Sequence, residues 1–152
     1  MFKVYSRYGV WIAIALIAYF LLLKLIGFHQ YPELSSINGL IFGFGIYIAM
    51  KKYATAENNF KYEKGFEVGL FTGGIASILF TIFMAIYMYQ IDTEFAAGIM
   101  ERWNLEYSLG TLMLILSVLI MSFATTIVLT LAFMQLLKKS WNTQDGKRHT
   151  MK

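Results

Sequence analysis

Long apolar runs alternate with shorter polar segments along the whole chain. Four runs stand out, at residues 8–28, 34–50, 65–91 and 108–137. A helix needs roughly 20 residues to cross a hydrocarbon core about 30 Å thick, because it rises about 1.5 Å per residue. The pattern therefore predicts four transmembrane helices.

The second run is the least apolar of the four. Serine, asparagine and glycine interrupt it, so a segment that enters and leaves on the same side is an alternative to a crossing helix. The placement of charge favours a crossing. Of the 13 Lys and Arg residues, all except Lys24 and Arg102 lie before the first run, between the second and third, or after the fourth. These three segments share one side only if all four runs cross.

The basic side is assigned to the cytoplasm by the positive-inside rule. We therefore predict an all-α integral membrane protein, a four-transmembrane-helix bundle with both termini in the cytoplasm (N-in/C-in). Residues 1–141 are predicted to form a single transmembrane domain, and residues 142–152 a polar cytoplasmic tail.

Composition agrees with a membrane protein and argues against other classes. Hydrophobic residues make up 58% of the chain and charged residues 14%, whereas soluble domains average about 25% charged. The formal net charge of +4 does not indicate nucleic-acid binding, because the basic residues flank apolar runs and form no patch with interleaved aromatic residues. The absence of cysteine removes disulfides, thiol chemistry and sulfur-ligated metals.

The segment between the third and fourth runs has a helical period of its own. Phe95, Ile99 and Trp103 recur every four residues, and Asp92 or Thr93 is suited to cap the start of a helix. We predict a short amphipathic helix that lies on the outer leaflet.

Small residues recur at intervals of four, which lets neighbouring helix backbones approach closely in a membrane. The candidate packing residues are Gly65, Gly69, Gly73 and Ser77 in the third run, Gly39 and Gly43 in the second, and Ser122 and Thr126 in the fourth. Packing within the bundle is the favoured interpretation. Contact with a second copy or with a partner helix is the alternative.

Charged residues inside or beside the runs are the candidate ligand or lipid contacts. Lys24 lies near the outer end of the first run, where its side chain either snorkels to the interface or forms a site with Asp92 or an anionic lipid. Glu67 follows Lys64 by three residues, which favours an ion pair over a proton or ligand site. Apart from Lys24, which lies within the first run, Arg102 is the one basic residue predicted on the outer side of the membrane.

Catalytic chemistry finds little support. His29 and His149 are predicted on opposite sides of the membrane, so they cannot share a metal ion. Asp92 and Glu94 offer two carboxylates, but acidic residues are common at a helix start. No carboxylate lies near the middle of a run, which argues against a proton-driven pump. We expect no cofactor, no metal site and no enzymatic activity.

Two segments carry a resemblance to a known family. They are the residues from Phe60 to Gly69, FKYEKGFEVG, which lead into the third run, and those from Tyr87 to Asp92, YMYQID, which end it. Over residues 51–94 the chain resembles the bacterial membrane family catalogued as domain of unknown function 4199. A proline commonly follows the aspartate in that family, whereas this chain has Thr93. The resemblance implies a four-helix protein of the inner membrane of Gram-negative bacteria, with no established activity.

Two functional hypotheses follow. The first is a non-enzymatic accessory or scaffold protein that packs its helices against an envelope partner. The second is a small homo-oligomeric carrier or binder of an anionic lipid or amphiphile, held by Lys24, Arg102 and the inner lysines. Expected partners are membrane lipids and either a membrane protein or further copies of the chain, and not nucleic acid.

Overall fold

The computed structural model describes residues 2–28, 32–56, 62–103 and 107–137, and all the secondary-structure elements within them are helices. A π-helical turn at Tyr87–Ile91 continues directly from the third helix. The α-helices, in chain order, are α1 (Phe2–Ile26), α2 (Pro32–Ala56), α3 (Tyr62–Ile86), α4 (Thr93–Trp103) and α5 (Tyr107–Leu137).

Three segments of the described chain are long and apolar enough to cross a membrane. They are Tyr5–Ile26, Tyr62–Ile91 and Leu109–Leu137. The prediction of an all-helical chain with membrane-type helices is confirmed. Helix α2 has 25 residues, as α1 and α3 do, but its polar residues keep it outside this set. A fourth crossing stays a prediction.

Helix α2 is also longer than the apolar run that predicted it. The run ends at residue 50, whereas α2 continues through Lys51 and Lys52 to Ala56. Lysine and alanine are good helix formers, so the helix does not end where its apolar stretch ends. The segment after residue 50 therefore begins as helix.

Helices α1 and α2 run in opposite directions. The Lys52 Nζ lies 5.8 Å from the centre of the Tyr8 ring. Farther along α1, the Tyr19 hydroxyl donates a hydrogen bond to the Leu34 carbonyl over 2.9 Å. The earlier residue of α1 thus contacts the later residue of α2, and the later residue of α1 contacts the earlier one.

Helices α1 and α3 run in the same direction. The Tyr5 and Phe71 rings stack with centroids 6.1 Å apart. Near the other end, the Phe20 ring meets Tyr87 edge-on at 4.9 Å. Helix α3 is therefore antiparallel to α2.

Two glycines bring α3 close to α5. A methyl group added at Gly69 would lie 2.5 Å from Thr130 Cγ2, and one added at Gly73 would overlap Thr126. Gly69 lies beside Thr130, and Gly73, later on α3, lies beside Thr126, earlier on α5. These two helices are therefore antiparallel. Helices α2 and α5 therefore run in the same direction.

The buried apolar residues form two clusters, one in each half of the molecule. The first joins α1, α2, α3 and α5, and includes Ile12, Ile46, Met50, Val68 and Met134. The second joins α1, α3, the π turn, α4 and α5, and includes Phe20, Tyr87, Met88, Met100 and Leu114.

Helix α4 covers the second cluster. It buries Ala96 and Met100, while Phe95 and Ile99 pack partly buried beside them. The predicted short amphipathic helix is present, although its most buried residues stand one position after the predicted apolar ones. The side chain of Trp103 lies outside the described residues.

We expect Gly73→Leu to destabilise the fold, because the new side chain would overlap Thr126 of α5 and Ile46 of α2. Overpacking of this kind costs about 1–3 kcal/mol or more. The melting midpoint of the detergent-solubilised protein should fall by several degrees. The matched control is Gly98→Leu, because no atom lies within 4 Å of a Cβ at that position. Equal midpoints for the two variants would contradict the close approach.

Candidate functional site

Helix α1 ends in a glycine cap that places Lys24 in its last turn. Gly27 has φ +82°, a left-handed conformation that glycine adopts without strain. Its N–H donates to the Lys24 carbonyl over 3.0 Å, and the Phe28 N–H donates to the Leu23 carbonyl over 2.9 Å. These two bonds are the Schellman pattern. The chain therefore leaves α1 at Gly27, three residues after Lys24.

The π turn after α3 places Asp92 at the start of α4. The Asp92 N–H donates to the Tyr87 carbonyl five residues earlier, over 2.9 Å. Its side-chain Oδ1 then accepts a hydrogen bond of 2.9 Å from the Phe95 N–H. Asp92 is therefore the N-cap of α4, one of the two residues predicted for that role.

Three side chains from these elements meet at one point. Asp92 Oδ2 accepts a 2.9 Å hydrogen bond from the Tyr87 hydroxyl and lies 3.3 Å from Lys24 Nζ. The same Nζ lies 4.5 Å from the centre of the Tyr87 ring, a cation–π distance. The Lys24 and Asp92 side chains are 34% and 20% exposed. We call this group the Lys24–Tyr87–Asp92 cluster.

Aromatic rings enclose the inner side of the cluster. Tyr87 is fully buried. Phe20 and Phe95 meet its ring edge-on, at 4.9 and 5.8 Å, and Phe83 lies 6.0 Å away. These rings keep water from the Tyr87 side of its hydrogen bond to Asp92, whereas the Asp92 side chain stays 20% exposed.

Asp92 is held in its charged form. Burial raises its pKa, but hydrogen bonds from the Phe95 N–H, the Tyr87 hydroxyl and Lys24 together outweigh burial and set the pKa below its ordinary value. The positive charge of Lys24 and the negative charge of Asp92 neutralise each other. The cluster therefore joins α1 to the α3–α4 junction and offers no free charge to a ligand.

The structure separates the four charged candidates. Lys24 and Asp92 form an ion pair, which was one of the alternatives for Lys24, and the Tyr87 hydroxyl donates to the same carboxylate. Sequence reasoning missed Tyr87 because an aromatic residue at the end of an apolar run is typical of a membrane interface. Glu67 is exposed on α3 and lies beyond ion-pair distance of Lys64 in the described structure. Arg102 is exposed on α4.

The small residues of α3 face neighbouring helices of the same chain. Gly69 and Gly73 meet Thr130 and Thr126, and the Ser77 hydroxyl lies 3.4 Å from that of Thr126. Gly65, earlier on the helix, is buried as well.

On α5 the predicted packing residues are held by their own backbone. The Thr126 hydroxyl donates to the Ser122 carbonyl over 2.8 Å. The Ser122 hydroxyl donates to the Leu119 carbonyl over 2.9 Å, and its side chain is half-buried. Thr126 therefore both satisfies its hydroxyl within α5 and meets α3.

The two glycines of α2 differ in exposure, because Gly39 is exposed and Gly43 is buried. No atom lies within 4 Å of a Cβ at Gly39, and one at Gly43 would touch Leu129 at an ordinary 3.5 Å. Both line a groove of about 600 Å³ between α2 and α5. We call this the α2–α5 groove. Its walls are apolar, with Leu40, Phe44 and Tyr47 on α2 and Leu129, Phe133 and Leu136 on α5.

One end of the groove carries a charge. Tyr47 packs against Phe133 with ring centroids 5.4 Å apart. Lys51, one turn later on α2, has its Nζ 5.8 Å from the centre of the Tyr47 ring. The groove therefore presents hydrocarbon along its length and a cation at one end.

A metal centre finds no support in residues 2–28, 32–56, 62–103 and 107–137, where no three His, Cys, Asp or Glu residues are grouped to hold one ion.

Comparison with known proteins identifies the family. The family model described as "Protein of unknown function (DUF4199)" matches residues 7–108, more than half of the chain, and the chain belongs to this family. The match extends beyond the resembling segment at residues 51–94 and includes all three residues of the Lys24–Tyr87–Asp92 cluster. No curated protein and no solved structure matches the chain.

We expect Lys24→Gln and Asp92→Asn each to lower the melting midpoint by several degrees, because each leaves the other charge without its partner. The double variant should lose less than the two single losses added together, since the interaction can be lost only once. Glu94→Gln, an exposed carboxylate in the first turn of α4, is the control and should change little. Additive losses would show that the ion pair contributes nothing.

The lowered pKa of Asp92 predicts how the cluster depends on pH. Its carboxylate binds protons less readily in the folded than in the unfolded protein, so its contribution is present above the ordinary value of 3.8 and is lost as pH falls through the folded pKa. The midpoint difference between wild type and Asp92→Asn should be full at neutral pH and should shrink below pH 3.8. A difference that grows on acidification would contradict the assignment.

Proposed function

We propose that this member of the DUF4199 family is a non-enzymatic, four-span protein of the bacterial inner membrane that binds an amphiphile by its hydrocarbon chain in the α2–α5 groove. The observation that carries the proposal is the groove itself. Its apolar walls and the two glycines of α2 that line it leave room for a chain between two helices.

The helix directions support four crossings. Helix α2 packs along α1 and α3, is as long as they are, and runs opposite to both. A helix placed in this way between two spans extends across the same thickness. The end of α2 that carries Lys51 and Lys52 lies beside the start of α1, which agrees with a basic cytoplasmic side and with both termini in the cytoplasm.

The packing of α3 changes the balance between the two functional hypotheses. The accessory hypothesis depends on small residues that are free to receive a partner helix. Gly69, Gly73 and Ser77 instead receive α2 and α5 of the same chain. In the α2–α5 groove, by contrast, no helix of the described chain fills the space. An open apolar groove in a bilayer gains dispersion contacts when a hydrocarbon chain lies in it.

The outer charges contribute little to amphiphile binding in this proposal. An anionic headgroup at Lys24 would have to displace Asp92, which already lies 3.3 Å from the ammonium group. We therefore place the bound amphiphile at the groove and not at the Lys24–Tyr87–Asp92 cluster.

A helix-packing accessory or scaffold role remains the second candidate. Gly39 and Gly43 lie four residues apart on the side of α2 that lines the groove. That spacing would also let a helix of an envelope partner approach closely.

The test is to fill the groove. Gly39→Leu and Gly43→Leu place side chains where the hydrocarbon chain would lie, and Ala18→Leu adds the same bulk to a small exposed residue of α1. Protein purified in mild detergent from native membranes is analysed by native mass spectrometry. We expect wild type and Ala18→Leu to retain an amphiphile, and the two groove variants to lose it several-fold.

Equal retention by all four proteins would overturn the proposal. A stoichiometric protein partner that is lost from the groove variants, with no retained amphiphile in wild type, would support the accessory role instead.

A further inference from the structure

We propose that the α2–α5 groove selects an anionic phospholipid, with an acyl chain between α2 and α5 and the phosphate beside Lys51. This inference rests on the proposed function, because it assigns a headgroup to the amphiphile that the groove holds.

Lys51 stands at the point where a headgroup would leave the groove. It follows Tyr47, a wall residue, by one helical turn, and its Nζ lies 5.8 Å from the centre of that ring. The side chain is exposed, and no carboxylate of the described chain lies within 4.0 Å of its Nζ. The positive charge is therefore not neutralised by the described protein and is placed for an external anion.

The dimensions of the groove fit a chain followed by a headgroup. The α2 wall runs from Gly39 to Tyr47, which is about 12 Å at about 1.5 Å per residue. That length is part of one leaflet of a hydrocarbon core about 30 Å thick. A lipid whose chain occupies this length has its phosphate at the end of α2 that carries Lys51.

Lys52, the next residue, lies on a different side of α2 from Lys51 and does not face the groove. Lys52 is also exposed, but its Nζ lies over the Tyr8 ring of α1, at 5.8 Å. The two residues have the same charge and adjacent positions, yet they contact different aromatic rings. Lys52 is therefore a matched control for Lys51.

The charge argues against a second copy of the chain as the occupant. A two-fold axis through the groove and normal to the membrane would bring the two Lys51 residues to the same end of the interface, where like charges repel. An anionic lipid instead supplies the opposite charge, and anionic lipids are enriched in the cytoplasmic leaflet.

The experiment uses the full chain in nanodiscs made with equal amounts of phosphatidylglycerol and phosphatidylcholine that carry identical acyl chains. Lipid released into the gas phase with the protein is counted by native mass spectrometry. We expect wild type and Lys52→Gln to retain phosphatidylglycerol over phosphatidylcholine by about fivefold, the preference that one lysine near a membrane surface provides. Lys51→Gln should lose this preference but retain the same total amount of lipid.

The outcomes separate this inference from the proposed function. If wild type retains both lipids equally, or if Lys51→Gln keeps the preference, headgroup selection at Lys51 is wrong and the groove function stands. A loss of preference in both lysine variants would also overturn the inference, because it would indicate general surface charge. If wild type retains neither lipid, or if Gly43→Leu retains as much lipid as wild type, the groove function fails and the inference fails with it.

Discussion

The close approach of α3 to α2 and α5 is the contact on which the rest of the structure depends. Lipid chains are as apolar as leucine, so helices in a membrane gain stability from contact area and not from the removal of water. Gly69 and Gly73 supply that area, because side chains of α2 and α5 enter the space that a Cβ would fill. Helix α3 thereby contacts α1, α2 and α5.

The groove follows from this arrangement. Thr126 and Thr130 of α5 turn towards α3, so the side of α5 that faces α2 is formed by Leu129 and Phe133. On α2 the facing residue is Gly43, which a Cβ would bring only to ordinary contact distance. Two helices that each pack tightly on α3 are therefore left loosely matched to each other, and the gap between them opens to the surroundings.

The sequence predicted the helices well and the contacts unevenly. Apolar length and charge placement indicated the long helices, and the Phe95 period with Asp92 before it indicated α4. Repeated small residues marked candidate contacts, but sequence spacing is the same for Gly39 and Gly43 as for Gly69 and Gly73. Gly43, Gly69 and Gly73 are buried and Gly39 is exposed, and this difference depends on how the helices are rotated in the assembled fold. Tyr87 was missed because the sequence pattern of an apolar run does not indicate a π turn, and it is this turn that brings the Tyr87 hydroxyl to Asp92.

The two ends of the molecule differ in how their charge is balanced, and this difference decides where a charged ligand can be recognised. At one end Lys24 has a carboxylate at 3.3 Å and a tyrosine ring at 4.5 Å, so an anion arriving there must break existing interactions. At the other end Lys51 has an aromatic ring at 5.8 Å and no described carboxylate within ion-pair distance. An anion gains a new interaction at Lys51 and only exchanges one at Lys24. Recognition of an anion is therefore favoured where the groove opens beside α2.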